Sequence, residues 1–117
     1  MMQTDRKPRI ALVMGDPCGI GPELTLKLIA EPETVAAADI AVVAGRGVFD
    51  GGATISGRRV DLPDCASLTA GQLAERGLVL LTAPEVDPAT LRPGEVSKAS
   101  GRYQLDCLAA ALDLCRD

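Results

Sequence analysis

One nine-residue segment constrains this chain more than any other: Gly15-Asp16-Pro17-Cys18-Gly19-Ile20-Gly21-Pro22-Glu23. An apolar run, Ile10 to Met14, leads into it, and an apolar-periodic run, Leu24 to Ala30, follows it. That order predicts a strand, a tight glycine loop and a helix. Glycine reaches backbone conformations closed to other residues and lets a ligand approach the main chain. Pro22 suits the first helical position, where its missing N–H goes unused, and Glu23 beside it complements the helix dipole. A helix start of this kind can receive an anion or a polar ligand edge on its N–H groups.

The rest of the chain repeats the alternation. Met1 to Pro8 reads as a loose lead-in. Arg9 to Met14 is the first strand, apolar enough to be buried on both faces as in a parallel sheet. Pro22 to Ala30 is the first helix, with Leu24, Leu26, Leu28 and Ile29 offering an inner face, and Glu31-Pro32-Glu33 ends it because proline cannot continue a helix. Asp39 to Ala44 is the second strand. Gly45 to Gly57 holds five glycines and predicts at most one helical turn near Arg46 to Phe49. Ser56-Gly57 can then turn a short strand, Ala53 to Ile55, into another, Arg58 to Leu62. Pro63 to Ala70 reads as loop, Gly77 to Ala83 as strand, and Pro84 to Glu95 as a structured loop. Ser97 to Cys115 is a final helix, capped by Ser97 or Ser100, with Leu105, Leu108, Leu112 and Cys115 on one face. Strands alternating with helices predict an α/β fold with a largely parallel sheet. Ligands in such sheets bind at the carboxyl ends of strands, where the Gly15–Glu23 loop lies.

Composition excludes several functions. A length of 117 residues is that of one domain. The net charge is −4 and basic residues do not cluster, so a nucleic-acid partner is not expected. Two aromatic residues, Phe49 and Tyr103, leave an aliphatic core and no base-stacking platform. Cys18, Cys65, Cys107 and Cys115 have no Cys-x-x-Cys spacing and there is no His, which favours scattered reduced thiols over a zinc site. No apolar run is long enough for a signal core or a membrane span, so a soluble, cytoplasmic protein is expected.

The glycine loop does not fit the commonest nucleotide motifs. Its spacing, Gly15-x-x-x-Gly19-x-Gly21, differs from Gly-x-Gly-x-x-Gly, and Gly45 rather than an acidic residue closes the second strand. No Gly-Lys-Ser/Thr follows, as a phosphate loop requires. By geometry alone the segment reads equally as a turn that needs glycine for its shape.

The segment Ala11 to Ala30, above all Gly-Asp-Pro-Cys-Gly-Ile-Gly-Pro-Glu, closely resembles the opening of the 4-hydroxythreonine-4-phosphate dehydrogenase family. A second, supporting similarity lies at Pro93-Gly94-Glu95-Val96-Ser97, then Ser100-Gly101 and Tyr103. Isocitrate and isopropylmalate dehydrogenases carry a related, shorter form of the first motif. The resemblance implies part of a three-layer, largely parallel α/β sandwich of the isocitrate/isopropylmalate dehydrogenase kind. It also implies an NAD-dependent enzyme with a divalent metal (Zn, Mg or Co) as Lewis acid. Such an enzyme oxidises a secondary alcohol on a small phosphorylated hydroxy acid like 4-phosphohydroxythreonine, in pyridoxine biosynthesis, and decarboxylation often follows. Other relatives act on phosphorylated erythronate or threonate, or on dihydrodiol dicarboxylates. A homodimer with sites shared across its interface is implied as well.

The chain departs from that pattern in ways that matter. Family members are much longer and draw their metal ligands from histidines, so no metal-ligand or catalytic residue carries over to this His-free sequence. The resemblance covers the N-terminal portion only, and the expectation is a fragment without dehydrogenase activity of its own. The alternative is a non-catalytic α/β module that binds a nucleotide or a partner chain through its sheet edge.

Asp16, Gly19, Ile20 and Gly21 are the candidate cofactor-binding residues, Gly19 to Gly21 nearest the nicotinamide side. Asp16 has a second reading, a turn residue bonding its own backbone. Cys18, beside a helix N-terminus, lacks a His to serve as its base. Lys98 and Arg102 can reach a substrate phosphate or form a solvated face. Tyr103 is expected to pack with a hydrogen-bonded tip. The leucine stripe of the last helix is expected to be core in a complete fold. In a shorter chain it is expected to be exposed in part and to drive association.

Overall fold

The computed structural model describes residues 7–82, 86, 91–92, 94–95 and 97–116. Among these residues four parallel strands form one sheet in the order β1-β2-β4-β3: β1 (Arg9–Val13), β2 (Asp39–Ala44), β3 (Asp64–Cys65) and β4 (Leu78–Thr82). Among the described residues five helices connect and cover them: α1 (Gly21–Ile29), α2 (Pro32–Ala37), α3 (Arg46–Ser56), α4 (Ala70–Arg76) and α5 (Lys98–Cys115). All three strand pairings are parallel, and β2 pairs with β1 and β4 in register Ile10↔Ile40 and Val42↔Leu80.

The sheet separates two apolar clusters, because successive strand side chains point to opposite faces. Ile40, Val42 and Leu80 face Leu26 and Ile29 of α1 and Phe49 of α3. Ala41, Val43, Val79 and Leu81 face Leu73 of α4 and Tyr103, Cys107 and Leu114 of α5. The architecture is therefore helix, sheet, helix, and β2 is buried along its whole length.

The structure corrects the sequence-based expectations at five places. The glycine-rich segment is an eleven-residue helix, α3, not a single turn followed by a hairpin. One of its glycines serves packing: a Cβ on Gly52 would lie 2.7 Å from the Pro22 carbonyl oxygen, so α1 and α3 approach as closely as they do only with glycine there. Gly57 closes α3 in the left-handed conformation, φ 68°. Arg58 to Leu62 forms no strand; the short partner of β4 is Asp64–Cys65, inside the expected loop. Two helices, α2 and α4, stand where none was expected, and α4 is closed by a capping box between Thr69 and Gln72.

The remaining two corrections concern burial, on β1 and on α1. β1 is an edge strand rather than one covered on both faces, with Ile10 and Val13 exposed. On α1 the inner face is Pro22, Thr25, Leu26 and Ile29, while Leu24 and Leu28 face outward. Helix α5 buries Ser100, Tyr103, Cys107, Ala111 and Leu114, and leaves Leu105, Leu108, Leu112 and Cys115 exposed. The expected lead-in at 1–6 and most of the expected loop at 84–95 lie outside the described residues.

Candidate functional site

The Gly15–Glu23 loop sits at the carboxyl end of β1, as the strand–loop–helix order requires. Gly15 takes φ 77°, a left-handed conformation that reverses the chain after Met14. Asp16 then fixes the turn. Its Oδ1 accepts the Cys18 N–H at 2.9 Å, and its carbonyl accepts the Gly19 N–H at 3.0 Å. The Asp16 side chain is thus engaged with its own loop, the second of its two readings. Gly21 is held by sterics: a Cβ there would fall on the Met14 carbonyl oxygen, so the start of α1 presses directly against the end of β1. No side chain caps that helix start. Glu23, in its first turn, pairs with Lys27 one turn later at 2.8 Å.

The two segments that resemble the family meet in space. Gly94, at φ 80°, donates its N–H to the Cys18 carbonyl at 2.9 Å. Ser97 and Ser100 together form the capping box that opens α5, the Ser97 side chain accepting the Ser100 N–H at 3.1 Å. One turn further, the buried Tyr103 hydroxyl accepts the Gly45 N–H at 2.7 Å. That bond ties α5 to the carboxyl end of β2, next to the loop. Tyr103 also hydrogen-bonds Cys107, whose thiol burial pushes up from 9.0; that bond lowers it partly and the Asp106 charge raises it.

A small, mainly apolar cleft of about 160 Å³ opens beside the loop, lined among others by Pro17, Gly19, Pro22, Gly51, Ile55 and Leu91. Of the four candidate cofactor residues, Gly19 lines this cleft. Ile20 projects into solvent at the helix start, 70% exposed. Asp16 and Gly21 shape the loop from behind. Sequence reasoning did not single out Gly51, which with Gly47 lines the cleft from α3; their four-residue spacing in a helix was the available signal. Lys98 is exposed, and the exposed Arg102 pairs with Asp106 at 3.3 Å. A larger groove of about 550 Å³ runs along α3 past Arg58 and Arg59. Its Arg46 is committed to Asp50 and Asp64.

Among the described residues no three side chains of His, Cys, Asp or Glu gather closely enough to hold a metal ion. The described residues therefore do not fit a metal centre. No helix among them is long and apolar enough to cross a membrane.

No protein-family model matches the chain. Individual proteins do. The Rhizobium meliloti (strain 1021) protein "Putative 4-hydroxythreonine-4-phosphate dehydrogenase 2" is 39% identical over 94% of this chain, a match spanning 32% of the relative. A 4-hydroxythreonine-4-phosphate dehydrogenase of Geobacter metallireducens is 30% identical over 93% of the chain and 32% of its own length. The crystal structure of the enzyme from Klebsiella pneumoniae superposes with a TM-score of 0.75 at 28% identity, over 97% of this chain and 34% of that one. The chain is similar to one portion of these 4-hydroxythreonine-4-phosphate dehydrogenases. It spans about a third of the length of the relatives it matches, and the fit is to their N-terminal portion. A structure from Burkholderia phymatum, at 21% identity and a TM-score of 0.79, has the same fold. The dehydrogenase-like α/β architecture expected from the sequence is the one observed.

Proposed function

We propose that this chain contributes the N-terminal part of an NAD-dependent dehydrogenase acting on a secondary alcohol of a small phosphorylated hydroxy acid. The observation that carries the reading is the Gly15–Glu23 loop, pinned at the carboxyl end of β1 by the Gly94–Cys18 bond and opening onto an apolar cleft. Those are the two segments that resemble the family; the bond joins them, and the first forms one wall of the cleft. NAD, when bound, accepts a hydride; this chain's residues would help bind and orient it. Gly19 offers main chain unobstructed by a Cβ, and Ile20 offers an exposed apolar side chain suited to a flat ring. Pro17 and Leu91 keep that wall dry. A divalent metal has no donor set among the described residues and would depend on residues elsewhere in the enzyme. So would substrate specificity, any decarboxylation and a homodimeric assembly.

The chain alone therefore lacks turnover. Incubation with NAD and 4-phosphohydroxythreonine, followed by NADH absorbance, is expected to show none; a steady rate would overturn this part of the reading. The cofactor wall is tested separately by saturation-transfer NMR with NAD. Transfer to the nicotinamide protons is expected, and Ile20→Glu is expected to remove it. Transfer unchanged in Ile20→Glu and in Gly19→Val would move the cofactor elsewhere.

A further inference from the structure

Helix α3 borders two different cavities. Gly47, Gly51 and Ile55, four residues apart, line the apolar cleft beside the glycine loop. The next row, Arg46, Asp50 and Thr54, lines the groove of about 550 Å³. The two cavities share no lining residue, so the groove is separate from the candidate cofactor site. Its second wall is the chain from Arg58 to Asp61, and that wall is tied at both ends. Gly57, at φ 68°, turns the chain out of α3, and the Arg58 N–H donates to Ser56 Oγ at 3.1 Å. Beyond Asp61, the Leu62 carbonyl accepts from Arg46 Nη1 at 3.2 Å. The groove is thus preformed, and its size falls among small-molecule sites, about 300–1,000 Å³.

Charge decides what fits it. Arg46 is held by Asp50 at 3.4 Å and by Asp64 at 3.7 Å. Arg58 and Arg59 are exposed and form no ion pair among the described residues. Two adjacent uncompensated guanidinium groups stand out on a chain of net charge −4. Each presents a fork of donors that matches a phosphate. The rest of the lining sets the body of the ligand. Asp61, also outside those ion pairs, opposes a bare anion but accepts hydroxyl donors. Thr54 Oγ1 donates to the Asp50 carbonyl at 3.2 Å and keeps its own acceptor capacity. A nucleotide base finds no platform. Phe49 is 1% exposed, and Arg46 lies over its ring, 5.6 Å from the centroid. Only the aliphatic Ala53 and Val60 add apolar lining.

We infer that this groove binds a phosphorylated sugar, with Arg58 and Arg59 on the phosphate and Asp61 and Thr54 on the hydroxyl groups. It is a second ligand site and does not depend on the dehydrogenase reading.

The test titrates the 117-residue chain with glucose 6-phosphate and follows its backbone amides by NMR. Saturable shifts are expected at Ala53, Thr54 and Arg58 to Asp61, with Gly19 and Ile20 unmoved. Arg58→Gln with Arg59→Gln is expected to weaken binding at least about tenfold. Arg58→Lys with Arg59→Lys keeps the charge, loses the fork, and is expected to weaken it at least about threefold. Thermal melts show that both variants are folded. Asp61→Ala is expected to act with opposite signs on two probes. It weakens glucose 6-phosphate by removing a hydroxyl acceptor and tightens inorganic phosphate by removing a like charge. Glucose 6-phosphate bound no more tightly than inorganic phosphate makes the groove a plain anion patch and overturns the inference. Adenosine monophosphate bound more tightly than glucose 6-phosphate overturns it too, as do shifts confined to the glycine loop or an affinity unchanged in both arginine variants.

Discussion

At the scale of single residues, the loop separates glycines that shape it from glycines that leave room. Gly21 has no space for a methyl group against Met14, whereas a Cβ on Gly19 would only touch Asp16, at 3.5 Å. Gly21→Ala is expected to destabilise the fold by at least about 3 kcal/mol, and Gly19→Ala by less than about 0.5 kcal/mol. Paired thermal melts check both. Tyr103→Phe leaves the Gly45 N–H without its 2.7 Å acceptor and is expected to cost about 1–3 kcal/mol in urea unfolding. Cys107 gives the fold a pH dependence of defined sign. Burial holds its thiol above the ordinary 9.0, so the unfolded chain releases that proton first as pH rises. The stabilisation is complete below about pH 9 and is lost as pH rises through the folded value. Melting temperature between pH 8 and 10.5 is expected to fall less in Cys107→Ala than in the wild type.

At the scale of elements, α3 depends on an absence of side chain. Gly52→Ala would place a methyl 2.7 Å from the Pro22 carbonyl oxygen and 3.1 Å from Leu26 Cδ2. It is expected to cost about 1–3 kcal/mol, although alanine is the better helix former. A melt raised by Gly52→Ala would show that α1 and α3 can separate freely. Helix α3 was illegible in the sequence for this reason. Gly47, Gly51 and Gly52 each oppose helix locally by about 1 kcal/mol, and only the packing against α1, a long-range fact, outweighs them. Helix α4 carries a signal in the sequence: Thr69-Ala70-Gly71-Gln72 is a capping-box pattern, and the box forms. The same device opens α5, and Ser97→Ala is expected to cost about 1 kcal/mol in the same melts. β2 is legible to the residue because an unbroken apolar run bounded by Asp39 and Gly45 admits one interpretation. β1 looked the same, but whether such a strand is covered is decided by its neighbours. At the site, the Asp16 turn and the Tyr103 tether could be reasoned from residue chemistry. The cleft could not, because Gly51, Ile55 and Leu91 come together only through the tertiary fold.

At the scale of the whole molecule, the apolar surface sets the solution behaviour. Leu105, Leu108 and Leu112 form one exposed stripe along α5, and contiguous apolar surface promotes association. Leu108→Glu is expected to lower concentration-dependent association in sedimentation without shifting the melt by more than about 0.5 kcal/mol. An unchanged sedimentation profile would locate association elsewhere. The strand order carries a further consequence, for synthesis. β4 is made last of the four and lies between β2 and β3. A nascent chain that has emerged as far as Gly77 can pair β1 with β2 and nothing more. The Ile40–Ala44 edge must wait for Leu78 to Thr82 before it is closed. Translation stalled in that interval leaves an unsealed strand, a template for wrong partners. Ribosomes arrested before Leu78 should therefore hold their product in a chaperone-bound form, and release from that dependence should coincide with the emergence of Thr82.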